Sequence, residues 1–301
     1  TLMAAPVAMV GIHQFFSGTF IPGAAVKRVL GYDAPLTDNP NDMALLLNLL
    51  LPLSMALLLG SRRVGLRIAL VTFMALSVAA VILTFSRAGF VTLGVIILFY
   101  VWKLLRRSRY GCVLALLGLV LISIPFLPAS YLNRLSTITD IQADPTGSAQ
   151  ARWADTEAAA RYIAEHPLVG AGVGMDVLAL NQVRGPTWKQ VHDVYLEYAV
   201  DLGILGVLLF VCLLIACIRS AILAQRLSAE IPALRGFYFL AEGIQISLLA
   251  FAVAGLFHPA AYQFYFYYIA GLAVALRPVY EAEGGAVERT RSGSSDRRIE
   301  G

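Results

Sequence analysis

Charge is what this sequence has least of. Only 14% of its 301 residues are Asp, Glu, Lys or Arg, whereas 58% are hydrophobic. Soluble domains carry about 25% charged residues, so this chain cannot solvate a globular surface. The same shortage excludes a disordered polypeptide, which needs few apolar residues and a high net charge. Histidine is scarce too, with four residues and no pair at metal-ligand spacing. Asp-X-Asp is absent, so neither a metal nor any other cofactor is expected. The three cysteines, Cys112, Cys212 and Cys217, all lie inside apolar runs, where they read as small hydrophobes and not as a disulfide framework. No Gly-X-Ser-X-Gly elbow occurs, and no strand precedes Gly170-Ala171-Gly172-Val173-Gly174, which excludes a nucleotide-binding fingerprint. The net charge of +4 comes from short basic clusters between apolar runs, so no nucleic-acid face is expected. The chain opens Thr1-Leu2-Met3, with no basic region ahead of a cleavage site. It therefore reads as a piece of a longer precursor and not as a signal peptide. Its end, Arg297-Arg298-Ile299-Glu300-Gly301, reads as an appended scar.

What the sequence has in abundance is long apolar runs. A helix needs about 20 apolar residues to cross roughly 30 Å of hydrocarbon. Runs of that kind lie near 1–20, 43–60, 66–84, 88–105, 111–127, 194–218, 237–257 and 262–280. The first is weak, because it contains His13, Gln14 and Ser17. The expected fold is an all-α, polytopic transmembrane bundle of seven or eight spans, since lipid cannot satisfy open backbone groups. Only Phe85-Ser86-Arg87 separates two of the runs, which predicts a tight reversal at one membrane face.

Basic residues set the orientation. Segments 61–67, 103–110, 219–236 and the tail from 277 hold most of the 23 Lys and Arg residues, and they alternate with the remaining connections. Those four segments are placed in the cytoplasm, and the opposite face is the periplasm of a bacterial inner membrane. Residues 1–127 are then N-terminal spans, 128–192 a periplasmic loop, 193–280 C-terminal spans and 281–301 a cytoplasmic tail. The loop is too long to be a mere connector. Within it, Asp144-Pro145-Thr146-Gly147 reads as a turn and 148–165 as a helix, with Ser148 as N-cap and Glu157/Arg161 as an i,i+4 pair. The glycines at 170, 172 and 174 read as a flexible stretch. The Tyr262–Tyr268 cluster reads as an interfacial aromatic belt.

Ionisable residues near lipid cost about 2.5–3.5 kcal/mol at mid-membrane, so those on the loop face carry information. Arg87, in the hairpin, reads either as a snorkelling arginine or as an anion anchor, because a guanidinium grips phosphate oxygens with two parallel hydrogen bonds. Arg152, beside Trp153, reads equally as a surface arginine. His192 stands just before Asp193-Val194-Tyr195-Leu196-Glu197, where a water-accessible imidazole suits proton transfer near neutral pH. His258, before Pro259, is expected to face the same cavity. His166 suits a helix end. Glu242 is expected to snorkel to the cytoplasm, and Asp201 to orient a partner.

Five segments in order resemble the O-antigen ligase and polymerase family of bacterial inner-membrane glycosyltransferases. They are Asp38-Asn39-Pro40-Asn41-Asp42-Met43-Ala44, Phe85-Ser86-Arg87-Ala88-Gly89, Ser148-Ala149-Gln150-Ala151-Arg152-Trp153, His166-Pro167-Leu168-Val169-Gly170-Ala171-Gly172-Val173-Gly174, and His192-Asp193-Val194-Tyr195-Leu196-Glu197 followed by Gly203-Ile204-Leu205-Gly206. The resemblance implies transfer of a glycan from undecaprenyl pyrophosphate to a sugar hydroxyl, on the lipid A core for a ligase or on a growing glycan for a polymerase. It also implies further N-terminal spans beyond those present here. On this reading His192 is the general base and Arg87 and Arg152 bind pyrophosphate without metal. Asp193 and Tyr195 position the base or the acceptor, and Arg161 and Arg184 are reserve phosphate contacts. A transporter of the same lipid-linked glycan is the competing class, but it calls for intramembrane charges in several helices.

Overall fold

The computed structural model describes residues 1–23, 26–33, 37, 39–123 and 147–296. The expected turn at Asp144-Pro145-Thr146, the motif residue Asp38, residues 124–127 of the fifth run and the terminal Arg297–Gly301 lie outside the described residues. Ten α-helices are described: α1 Ala5–Ser17, α2 Pro40–Gly60, α3 Val64–Leu83, α4 Arg87–Arg106, α5 Tyr110–Ser123, α6 Ser148–Glu165, α7 Asp176–Arg184, α8 Val194–Ser228, α9 Arg235–Ala254 and α10 Phe264–Asp296. Among the described residues there is no strand, only an isolated bridge between Phe20 and Val29.

Among the described residues five helices are long and apolar enough to cross a membrane: α2, α3, α4, α8 and the continuous unit Pro232–Phe257, which is α9 with a 3-10 turn at each end. The chain is an all-α, multi-pass membrane protein. Over the first expected span lies a shorter apolar helix, Leu2–Ser17. Two helices outrun their apolar stretches. α8 continues to Ser228, so Arg219 and Arg226 ride on it, and α10 covers the last expected span and continues to Asp296.

The core forms around α2 and α9, which pack against each other, while α9 also meets α4, α8 and α10. Their contact is close because Gly243 removes a side chain: a Cβ there would lie 2.7 Å from the Pro52 carbonyl oxygen and from Ala56 Cβ. Small residues at such crossings let helix backbones approach in lipid, where no hydrophobic force drives them together. Leu45 and Leu49 of α2, Phe210 and Leu214 of α8, Phe251 of α9 and Phe266 of α10 fill the space around this contact. A second cluster joins Ala8, Met43, Leu47, Ala80 and Leu93 from α1 to α4. A third docks the loop onto the bundle, with Ala159 and Tyr162 of α6 and Leu180 of α7 against Val191, just before α8, and Val200 within it.

Glu242 does not snorkel. It is 2% exposed and pairs with Arg107 and with Lys103, the latter at 3.4 Å. Lys103 Nζ also donates to Gln245 (2.8 Å) and Gln225 (3.0 Å), and Arg107 donates to Tyr238 Oη (2.6 Å). The carboxylate stays inside because its partners come from α4 and α8, which the position of Glu242 in its own span cannot reveal.

Candidate functional site

At the other end of the bundle several helices begin together, each capped by a residue of the sequence motifs. Asn39 accepts from the backbone N–H groups of Asn41 and Asp42 at the start of α2. Ser86 accepts from Gly89 N–H at the start of α4, and Asp193 from Tyr195 and Leu196 at the start of α8. Such caps satisfy orphan N–H groups. Between α3 and α4 the chain reverses through Phe85, whose φ of 54° is left-handed. That conformation strains a bulky residue. It is held by Thr84 Oγ1, which accepts from Ser86 N–H, and by the Phe85 ring stacked on Phe15 at 6.0 Å.

Arg28 ties this turn to α2, donating to the Thr84 carbonyl (3.1 Å) and to Asn41 Oδ1 (2.7 Å), which also accepts from Ser86 Oγ (3.0 Å). His258 completes the frame and does not face the cavity described below. It is 1% exposed, with Nδ1 2.9 Å from the Ala254 carbonyl and Nε2 3.2 Å from the Asn41 carbonyl. Burial lowers its pKa.

Over this frame lies a cavity of about 260 Å³, lined by Arg87, Arg152, Trp153, His192, Asp193 and Phe257 among others. Its walls come from the starts of α4, α6 and α8 and from the turn after α9, so three helix N-termini direct their positive ends toward it. Arg87 also joins two of these starts: its Nη2 donates to Ser148 Oγ at 2.9 Å. Ser148 therefore serves as a tether and not as the expected N-cap. The cap position of α6 falls to Gly147, without a side-chain bond.

His192 is one-third exposed, and its Nδ1 is buried without a hydrogen-bond partner, 4.0 Å from Asp155 Oδ2. Asp155 is itself buried in an ion pair with Arg184, which also donates to the Lys189 carbonyl. Burial first, then the nearby Arg152 charge, holds the His192 pKa down at about 4. The imidazole is therefore neutral through the physiological range, the form able to accept a proton. Burial pushes the carboxyls of Asp155 and Asp193 upward.

Of the eight residues singled out from the sequence, Arg87, Arg152, His192 and Asp193 share this cavity. Arg184 lies behind it, on Asp155. Tyr195 points elsewhere, donating from Oη to the Ala252 carbonyl at 2.7 Å. Arg161 stands on the exposed side of α6, paired with Glu157 at 2.5 Å. Asp155 was missed, although one turn of helix from Arg152 places both on one face. Arg28 and Asn41 were missed because their partners are distant in sequence.

The glycine stretch is pinned, not flexible. Ala171 N–H donates to the Val200 carbonyl and Gly172 N–H to the Asp201 carbonyl, both at 2.8 Å. Asp201 then receives Gly174 N–H at 2.7 Å and Met175 N–H at 3.1 Å. α8 breaks at Gly203, whose φ is 70°. That break frees Ile204 N–H to donate to the Pro167 carbonyl at 2.8 Å. A Cβ on Gly170 would sit 2.5 Å from the Val200 oxygen, and one on Gly203 2.5 Å from the Leu168 oxygen. The two backbones cross at a distance only glycine allows. This crossing seats the loop above the start of α8 and thereby fixes His192.

Among the described residues no three His, Cys, Asp or Glu side chains converge as a metal site. Compared with known families, residues 72–211 match the family model described as O-antigen ligase. That segment contains Arg87, Arg152, Asp155, His192 and the glycine crossing. No curated protein matches the chain.

Proposed function

From the match of residues 72–211 to the O-antigen ligase family model, we propose that the chain belongs to that family and is a ligase-type glycosyltransferase. It moves a glycan from undecaprenyl pyrophosphate to a sugar hydroxyl of the lipid A core, at the periplasmic face of a bacterial inner membrane. One observation carries the reading: Arg87, Arg152 and His192, from three separate segments, line a single cavity whose wall also includes Val91, Leu256 and Phe257. Two cations and a neutral base beside apolar side chains match a donor that is part pyrophosphate and part isoprenoid.

In the proposed reaction the acceptor hydroxyl attacks the anomeric carbon on the side opposite the pyrophosphate, with inversion. The sugar carbon–oxygen bond breaks and leaves its electron pair on the pyrophosphate. Arg87 and Arg152 hold that charge, aided by the helix starts around them; fixed cations of this kind act without reorganisation. The hydroxyl proton passes to His192, through Nε2, because Nδ1 faces Asp155. An imidazolium formed there is stabilised by the Asp155 carboxylate, which Arg184 holds in place. A proton acceptor works best with a pKa near the working pH. The pyrophosphate offsets the Arg152 charge, one of the causes that hold His192 low, so the base strengthens when the donor is seated.

The test is complementation of a strain lacking the gene with the full-length protein, wild type or His192→Ala. Lipopolysaccharide and undecaprenyl-linked glycans are compared side by side. A ligase variant leaves lipid A bare while long polymer collects on undecaprenyl. Lipid A carrying a single repeat unit would reassign the reaction to a polymerase. Donor trapped on the cytoplasmic side would reassign the protein to transport.

A further inference from the structure

We propose that the end of the bundle opposite the His192 cavity holds a binding site for one anionic phospholipid. A second cavity, of about 480 Å³, lies between the end of α2 (Gly60, Ser61), Arg62, Arg67 in the first turns of α3, and Arg235 and Gly236 at the start of α9. Three of its lining residues are arginines and none is a carboxylate. Arg62, Arg67 and Arg235 are all exposed. Among the described residues the Arg62 and Arg67 side chains have no hydrogen bond or ion pair, and Arg235 rests over the Phe239 ring at 5.6 Å. The contrast with Lys103 and Arg107 at the same end of the bundle is sharp, since their charges are consumed by Glu242.

Backbone groups add to the cavity. α3 begins without a side-chain cap of its own, so N–H groups of its first turn remain for an anion, whereas at the start of α9 the Arg235 N–H already donates to the Pro232 carbonyl. Gly236 lies in the first turn of α9, and nothing stands within 4 Å of where its Cβ would be, which leaves that backbone open to approach.

A groove tells which anion is meant. It measures about 440 Å³ and is lined by Leu58, Val64, Ile68, Val71 and Thr72 of α2 and α3, together with Arg67. Val64, Ile68 and Val71 are 70%, 62% and 52% exposed. Arg67 belongs to both spaces, so a cationic chamber opens onto an apolar channel running along a membrane-spanning helix. A phosphodiester fits the first and an acyl chain the second. Basic pockets between spans hold anionic headgroups in this way. A zwitterionic headgroup would bring an ammonium to a cavity that offers it no carboxylate, and free phosphate would leave the groove empty. The arginine fork favours bidentate contact with phosphate oxygens.

The experiment is native mass spectrometry of the detergent-solubilised full chain, titrated with phosphatidylglycerol or phosphatidylcholine of matched acyl chains. Preference for phosphatidylglycerol should be at least about tenfold, at roughly fivefold for each basic group near a phosphate. Arg62→Gln/Arg67→Gln/Arg235→Gln should abolish it, whereas Arg63→Gln, one residue away and outside both spaces, should keep it. Val71→Trp, which fills the groove, should weaken the phospholipid but not glycerol 1-phosphate. Circular dichroism reports helix content, and single Arg67→Gln carries the test if the triple variant does not fold. Equal binding of the two lipids, equal losses in Arg63→Gln and Arg67→Gln, or displacement of phosphatidylglycerol by an equal concentration of inorganic phosphate would overturn the proposal.

Discussion

Two polar clusters, one at each end of this bundle, use the same residue types to opposite purpose. At one end Lys103, Arg107, Glu242, Gln225, Gln245 and Tyr238 form a closed network in which each charge meets its partner inside the protein. At the other, Arg87, Arg152 and His192 border an open cavity, and His192 Nδ1 is buried with no hydrogen bond. A satisfied network stabilises an arrangement of helices but has nothing left to offer a ligand. An incompletely satisfied one costs stability and is tolerated where chemistry needs it.

The largest expected effect comes from His192→Ala, which removes the proposed base and should lower transfer by about 10²–10⁴-fold while the melting temperature stays unchanged. Parallel turnover and thermal-shift measurements on the purified protein check both halves. Glu242→Ala should show the mirror image. Stripping the partner from Lys103 and Arg107 costs about 3–5 kcal/mol, visible as early unfolding on heating, with turnover per folded molecule retained. An equal loss of activity in the two variants would erase the distinction between the ends.

Arg87→Lys keeps the charge but loses the bidentate grip and shortens the reach to Ser148. About a tenfold rise in KM for the donor is expected, measured with a soluble polyprenyl-pyrophosphate glycan. Asp155→Asn should lower kcat several-fold with little change in KM, since the carboxylate acts through His192 and not on substrate. Smallest is a titration. Because burial and Arg152 depress the His192 pKa to about 4, the neutral base persists as pH falls and is lost only on passing below that value. Arg152→Gln removes the second cause, so the midpoint should move upward, toward but not reaching the ordinary histidine value. NMR of labelled imidazole in donor-free protein reads this directly, and a downward move would place the arginine elsewhere.

Hydropathy made the bundle legible, because about 20 apolar residues in a row have few other uses. It measures bilayer thickness, however, and not helix length. α8 and α10 therefore continue as amphipathic or polar helix beyond the stretches that mark them. The loop helix was readable to the residue from Pro145 and Pro167 at either side, whereas α7 was not, since nine residues of mixed polarity are too few to carry a strong period. Arg87, Arg152 and His192 stood out as ionisable groups beside lipid within a recognisable order of motifs. Asp155 and Arg184 could not be paired from 29 residues apart. The glycines looked loose because local propensity knows nothing of Asp201, whose carboxylate lies 26–27 residues further on.

The pairing of α2 with α9 has a consequence in time. Ser247 Oγ reaches back to the Leu49 carbonyl across 198 residues. At a synthesis rate of about 5–20 residues per second, α2 waits roughly 10–40 s in the membrane before its main partner exists. Until then Asn48, whose amide donates to the Gly89 carbonyl of α4, has only early neighbours on which to rely. The first hairpins must therefore hold together as a provisional assembly, and ribosome stalling or truncation before α9 should deliver that half-built bundle to quality-control proteolysis.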